Sequence, residues 1–380
     1  MPACAQRANI SPLSETDNTT LADRLRARIH REGPISFYEW MKAALYDEQE
    51  GYYCRRDIVR RGRLGDYRTV PELTPLFGMT FARYFAKLFT ELGSPAQWTI
   101  VEFGAGFGEF AAEVLRSLRR RHSHVFAATH YLIDEFTEDG RERTQVNLEG
   151  FEDKYEFFRF TDVREPIRAG VIFSNELIDA FPVHRMKNSN GVLRSLYVGV
   201  DDRDQFIWVE TDLEPSIAEY CERNNLDLEP GRITEINPDA DVFVARAAQL
   251  LACGYVITVD YGDERQSLLS DPYRRQGTLR AAYHHQISGD VLSQPGHRDL
   301  TTTIDWTQLR EAGDRVGLRA ILHEGLDRFL LRECLLDELE ATARDADAAE
   351  QAILRAGARE LIMPNGMAAS FQVLVQQKIL

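Results

Sequence analysis

The stretch Thr99-Ile100-Val101-Glu102-Phe103-Gly104-Ala105-Gly106-Phe107-Gly108-Glu109-Phe110 sets an apolar, partly β-branched run against glycines at every second position. No other feature of this 380-residue chain constrains its fold so tightly. The run suits a buried strand, the glycines let backbone approach a ligand closely, and residues 111–118 continue with helical periodicity. Strand, glycine loop and helix N-terminus, in that order, predict a nucleotide-type site. Its spacing disfavours a dinucleotide, whose fingerprint needs a glycine three positions after the second one so that helix and strand can pack; Glu109 stands there instead. An acid at Glu102 ahead of Gly104, Gly106 and Gly108 repels phosphate and attracts a cationic ligand end. The methionine ammonium and sulfonium of S-adenosylmethionine (SAM) have that character.

A second strand-like run, Thr129-His130-Tyr131-Leu132-Ile133, ends in Asp134 and Glu135. Asp134 is placed to accept both hydroxyls of a ribose, a role shared by NAD and SAM sites. It therefore supports nucleoside binding without choosing between them, and the choice rests on the glycine spacing.

A formal net charge of -15 disfavours nucleic-acid partners, which need a basic face to displace counterions. Small molecules or basic protein segments fit better. The run Arg119-Arg120-Arg121 is expected to decorate the C-terminal end of a helix. Five widely spaced cysteines (Cys4, Cys54, Cys221, Cys253, Cys334) show neither a disulfide framework nor zinc-ligand spacing, and although His284, His285, His297 and Asp299 cluster, a histidine pair there has no third ligand at suitable spacing. No metal is expected. The polar first twenty residues and the lack of a membrane-length apolar run predict a cytoplasmic, bacterial protein with no membrane insertion.

Helical patterns are expected over residues 19–31, over 36–46 with Ser36 as cap and Glu39 at the third helical position, and over 75–92. Strands at 98–103, 129–133, 155–160, 170–174 and 254–260 alternate with helices at 108–121, 137–148 and 237–252. This order predicts an α/β fold with a Rossmann-like, doubly wound parallel sheet. Two alternating runs, 193–200 and 205–210, read as an inserted hairpin around Asp201-Asp202-Arg203-Asp204. The tail holds helical stretches, including an acidic one over 335–355, and an apolar strand over 371–375. The resulting division has a flexible or helical N-terminus (1–33), a helical and loop segment closing the site (34–93), a core (94–190 and 232–330), an insert (191–231) and a C-terminal helix and strand (331–380).

Ligands in open α/β sheets sit beyond the carboxyl ends of the strands. Asn175, Glu176 and Asp179 follow the fourth core strand and should face the same crevice as the glycine loop. Methyl transfer from SAM is an in-line displacement, so the protein must align a nucleophile and manage its proton. For a guanidinium nucleophile, Glu176 and Asp179 can hold the cation bidentately and localise its charge. As helix caps or solvated acids these residues would do none of this. The insert and the loop-like residues 283–303 are expected to complete an acceptor groove.

With these stretches in hand, the chain resembles the MidA family of SAM-dependent methyltransferases. The resemblance spans Gly33-Pro34-Ile35-Ser36-Phe37, Leu45-Tyr46, Gly51-Tyr52-Tyr53, Gly65-Asp66-Tyr67 and Pro71-Glu72-Leu73-Thr74-Pro75-Leu76-Phe77-Gly78. It continues through the glycine loop, Asn175-Glu176-Leu177-Ile178-Asp179-Ala180-Phe181-Pro182-Val183, Asp260-Tyr261-Gly262, Pro295-Gly296, Asp299-Leu300-Thr301 and Ile304-Asp305. It implies a class I methyltransferase fold, SAM as cofactor, and a protein arginine as acceptor, on a respiratory complex I subunit. The cofactor residues it implies are Gly104, Gly106, Gly108 and Asp134, with the Pro71-Glu72 loop and Asn175-Glu176 facing the cofactor; Glu102, Ala105 and Asp162 are expected to complete the cofactor site. The alternative is a SAM-binding assembly factor that grips a partner with little or no turnover. Phe107, the pair Phe136-Thr137, and Met367-Ala368-Ala369-Ser370-Phe371-Gln372 depart from the family pattern.

Overall fold

The computed structural model describes residues 19–58, 65, 69–160, 165–283 and 286–379. Its centre is a sheet in the order Arg319–Gly325, Phe371–Lys378, Gly254–Asp263, Gly170–Asn175, Trp98–Phe103, Thr129–Asp134, Tyr155–Phe157. The middle strands pair in parallel, whereas Phe371–Lys378 runs antiparallel to both its neighbours. The expected parallel sheet is thus closed by one reversed strand, and Arg319–Gly325 beyond it was not apparent from sequence.

Both faces of this sheet are covered, and the strand periodicity shows it. Trp98 and Ile100 join the same apolar cluster as Val171, Phe173, Ile257 and the Leu76–Glu91 helix. Val101, Ile172 and Val256 face the other way, against Phe243 and Val244 of the Pro238–Leu250 helix and Leu309. Strands buried on two sides read as continuous apolar runs, as these do. Phe110 and Phe173 stack with centroids 4.2 Å apart, locking the helix after the glycine loop onto the fourth core strand.

Most expected elements are present, including the Ser36 cap, whose hydroxyl accepts the Glu39 N–H at 3.2 Å. The third core strand stops at Phe157. The acidic tail forms two helices, Leu335–Ala343 and Ala348–Ile362, the second started by a capping box at Asp347. Of the three tail arginines of the Glu109–Arg121 helix, Arg121 is not decorative: it pairs with the buried Glu338 at 2.7 Å.

Two accessory sheets correct the expected insert and loop. The hairpin Val192–Val200 and Phe206–Thr211 belongs to a five-stranded antiparallel sheet with Ile35–Ser36, His184–Ser189 and Ile233–Ile236. The stretch expected as a loop contributes to a three-stranded sheet of Arg280–Tyr283, Gln286–Ser288 and Asp299–Thr301. Leu279, Ala281 and Leu300 from its back join Leu21, Leu25, Ile29, Phe37, Trp40 and Met41 in a third core. The N-terminal helices are thereby fastened to the small sheet.

Candidate functional site

Three parallel strands end on one edge at Phe103, Asp134 and Asn175, and a cavity of about 950 Å³ opens there. Gly104, Gly106, Asp134, Asn175, Glu176 and Asp179 all line it. The sequence placed these six together across 76 positions of chain, and one crevice receives them all.

The glycine loop is left-handed at each glycine, with φ of +68° at Gly104, +59° at Gly106 and +77° at Gly108. Such backbone is strained for any residue with a side chain. A Cβ at Gly104 would lie 2.9 Å from Leu177 Cδ1, and one at Gly108 would lie 2.7 Å from Thr144 Cγ2. Gly108 thus serves the packing of the loop on the next helix and does not line the cavity; Ala105 is buried behind the loop. Glu135 holds the loop from the side, accepting the Gly106 N–H at 3.0 Å and both the N–H and hydroxyl of Thr137. In the sequence Glu135 stands out only as a second strand-end acid.

Asp134 lies against Gly104 and Gly106 in the cavity, and no hydrogen bond reaches its carboxylate from the described residues. Burial, reinforced by the neighbouring Glu135 charge, pushes its carboxyl up to about 6. A desolvated, accessible acceptor beside a left-handed glycine cradle fits a ribose diol and a compact nucleoside tail. Glu102 sits elsewhere. It is buried at 5% exposure within the sheet, where it accepts the Tyr131 hydroxyl at 2.7 Å, and it does not line the cavity. Pro71 and Glu72 fall in the short helix Val70–Leu73, and only the adjacent Thr69 reaches the cavity wall. Asp162, His284 and His285 lie outside the described residues.

Beyond the fourth core strand the acids are held by chain from far away. Glu176 has φ +49°, unusual for a long side chain, and its Oε1 accepts the Val70 N–H at 3.2 Å and the Asn175 amide at 3.1 Å. It clips the Val70–Leu73 turn to the strand end. The Ile178–Ala180 turn that follows has no side-chain cap, so neither Asn175 nor Glu176 is a helix cap. Asp179 is not solvated either: at 7% exposure its Oδ2 accepts from the Thr301 hydroxyl at 2.7 Å and from Tyr261. Asp260 beneath is fully buried, accepting the N–H groups of Ile178, Asp179 and Tyr261 at 3.1, 3.3 and 2.8 Å. Burial and then the Asp179 charge hold the Asp260 carboxyl well above the usual range; burial also raises that of Asp179.

The remaining wall comes from both ends of the chain. Tyr46 donates to the Ala180 carbonyl at 2.9 Å and Tyr53 to Asp299 Oδ1 at 2.8 Å, so the N-terminal helices brace the acid cluster. Arg280, Ala282, Ile287, Asp299 and Thr301 line the cavity from the small sheet, and Met367, Ser370 and Phe371 from the tail. The hairpin contributes nothing here. Its tip turns to the first helix, with Asp204 Oδ1 2.8 Å from His30 Nε2 and its carbonyl accepting from Arg26 Nε at 2.8 Å. That part of the expected acceptor groove is corrected: the sheet register carries the tip away.

The family model described as "Putative S-adenosyl-L-methionine-dependent methyltransferase" matches residues 80–323. Protein arginine methyltransferase NDUFAF7, mitochondrial, from Rattus norvegicus is 26% identical over 324 residues, covering 79% of this chain and 71% of the rat protein. The Drosophila melanogaster homologue is 26% identical over 402 residues, with 97% and 87% covered. Among solved structures, a Burkholderia thailandensis protein bound to S-adenosyl-homocysteine superposes with a TM-score of 0.83 at 27% identity, covering 94% of this chain and 92% of that one.

Proposed function

This chain belongs to the family of S-adenosyl-L-methionine-dependent methyltransferases, and we propose that it transfers the methyl group of SAM to an arginine side chain of a protein. SAM is its cofactor. In our reading Gly104 and Gly106 receive the methionine portion by backbone approach, and Asp134 accepts the ribose hydroxyls. Glu135 holds the loop in place through the Gly106 N–H. The cofactor supplies an electrophilic methyl group on a sulfonium, and the chain's task is to align the acceptor with it and dispose of one proton.

The observation that carries the arginine reading is the run of carboxylates at the strand ends, Glu176, Asp179 and Asp299, facing the cavity that takes the donor. A guanidinium entering there exchanges water for charge-assisted hydrogen bonds. Glu176 orients it in this proposal, Asn175 positions Glu176 through its amide, and Asp179, with its carboxyl raised by burial, is the group suited to share the released proton. The relatives named as protein arginine methyltransferases support the same acceptor. For its source we propose a respiratory complex I subunit, the acceptor implied by the MidA resemblance.

One observation favours the assembly-factor alternative: both acids already carry structural hydrogen bonds, Glu176 to Val70 and Asp179 to Thr301 and Tyr261. Incubating the protein with tritiated SAM and an arginine peptide separates the two. Methylarginine accumulating beyond one equivalent of enzyme supports the transferase. Tight SAM binding with no product supports the assembly factor.

A further inference from the structure

Arg280 lines the cavity beside the acid cluster, and the fold supplies it with almost nothing to pair with. Its Nη2 reaches only the Thr303 hydroxyl, at 3.5 Å, and its Nε is buried without an acceptor. No carboxylate of the described residues stands within ion-pair distance of it. Other half-buried arginines of the chain are paired, Arg185 with Glu235 at 3.1 Å and Arg265 with Asp305 at 2.8 Å. Arg280 is therefore a cation held in the cavity wall with hydrogen-bonding capacity to spare.

Its place is fixed by the strand that carries it. Glu235 accepts the Thr278 N–H at 2.7 Å just ahead of that strand, and Ala281 with its register partner Leu300 packs into the third core. On the other face Arg280 pairs in register with Thr301, whose hydroxyl donates to Asp179. The Arg280 guanidinium sits over the Tyr261 ring, 5.6 Å from its centroid, and the hydroxyl of that same ring also donates to Asp179. Cation and carboxylate thus meet on one side chain, Arg280 at the ring and Asp179 at the hydroxyl. Burial raises the Asp179 carboxyl, and the Arg280 charge stands near enough to oppose that shift, after the Tyr261 and Thr301 hydroxyls.

A bare guanidinium entering this cavity meets the acids and also a fixed like charge. A carboxylate travelling with it turns that repulsion into a charge-assisted bond, so one residue both rejects wrong acceptors and holds the right one. We propose that Arg280 is the anion contact of the acceptor site and takes a carboxylate carried within two residues of the target arginine. The proposal rests on the arginine reading above. Successive Cα atoms are about 3.8 Å apart, so neighbours this close in sequence can engage the acids and Arg280 at once. An Asp or Glu side chain and the terminal carboxylate of a C-terminal arginine share this chemistry.

The test uses peptides capped at both ends, each with a single arginine in a Gly-Ser background and an Asp one or two residues before or after it, beside the same peptide with Asn. A further pair ends in the arginine, as free acid or as amide, and so separates a terminal carboxylate from a side-chain one. In wild type we expect kcat/KM to favour at least one carboxylate peptide over its neutral partner by about tenfold, equivalent to about 1.4 kcal/mol. Arg280→Gln should bring that ratio to within about twofold. Where the favoured carboxylate is a side chain, Arg280→Glu should instead favour Lys over Asn at the same place. The ratio cancels any effect of the substitution on Asp179, which acts on both members of a pair alike. SAM affinity should stay within about twofold in both variants, which also shows that they are folded. Absence of any carboxylate preference in wild type overturns the proposal, and so does a preference that survives Arg280→Gln. A large loss of SAM affinity in a variant that melts like wild type would assign Arg280 to the cofactor and overturn it as well. If wild type binds SAM but methylates none of the peptides, the arginine reading fails and this proposal falls with it.

Discussion

The two halves of the cavity are built by opposite strategies. In the proposed reading the cofactor half comes from one stretch of chain, residues 103–140, and is shaped by backbone: left-handed glycines, with Gly106 held by Glu135. The acceptor half is assembled from segments far apart in sequence, with Glu176 tied to Val70, Asp179 to Tyr261 and Thr301, and Asp299 to Tyr53. Backbone geometry tolerates no substitution but little depends on neighbours, whereas a side-chain network tolerates conservative changes only while every partner stays in place. A common donor with a variable acceptor is served by that division.

The sharpest way to break the comparison is at Gly106. Valine there must adopt φ +59° beside the ligand, so Gly106→Val should abolish SAM binding by calorimetry while the sheet still folds. Retained affinity would show that the cofactor half is not backbone-built.

Glu176→Gln probes the other half, keeping shape and removing charge. Breaking one side of a buried charged pair costs about 3 to 5 kcal/mol, so single-turnover methylation at saturating SAM should slow by roughly two to four orders of magnitude. SAM affinity should stay near wild type. A rate within about threefold would leave Glu176 only its structural clip to Val70.

Asp134→Ala should weaken SAM binding by about 1 to 3 kcal/mol through lost charged hydrogen bonds. The wild-type affinity should also depend on pH. The carboxylate accepts ribose hydroxyls in its ionised form, which dominates above about 6, so affinity holds above that pH and declines as pH falls through it. Asp134→Asn should flatten that profile, and a wild-type profile already flat between pH 5 and 8 would remove Asp134 from the site.

The smallest effect is expected at the hairpin tip. Replacing Asp201 to Asp204 by a short glycine-containing turn loses the Asp204 contacts to His30 and Arg26, both exposed, and should cost stability by less than about 1 kcal/mol. SAM affinity and transfer should both remain within about twofold, since no tip residue lines the cavity. A selective loss of transfer would restore the hairpin to the acceptor groove.

What the sequence determined by itself was the local part. The run from Thr99 to Phe110 specified strand, loop and helix because β-branched residues, left-handed glycines and a 3.6-residue apolar period each carry their own conformational preference. The strand-end positions of Asp134 and Asn175 followed from the same patterning. Only the tertiary structure decided that Glu102 is sealed inside the sheet with Tyr131, that the hairpin points away, and that the Arg280–Tyr283 strand lines the cavity. Those outcomes depend on which strands pair and in what register, and short strands such as Gln286–Ser288 and Asp299–Thr301 have too few residues to show a period. The conformation of Asp299–Thr301 is set by what packs behind Leu300, Trp40 and Met41 from the other end of the chain, and by the Thr301 hydrogen bond to Asp179 that exists only once the fold has brought the two together.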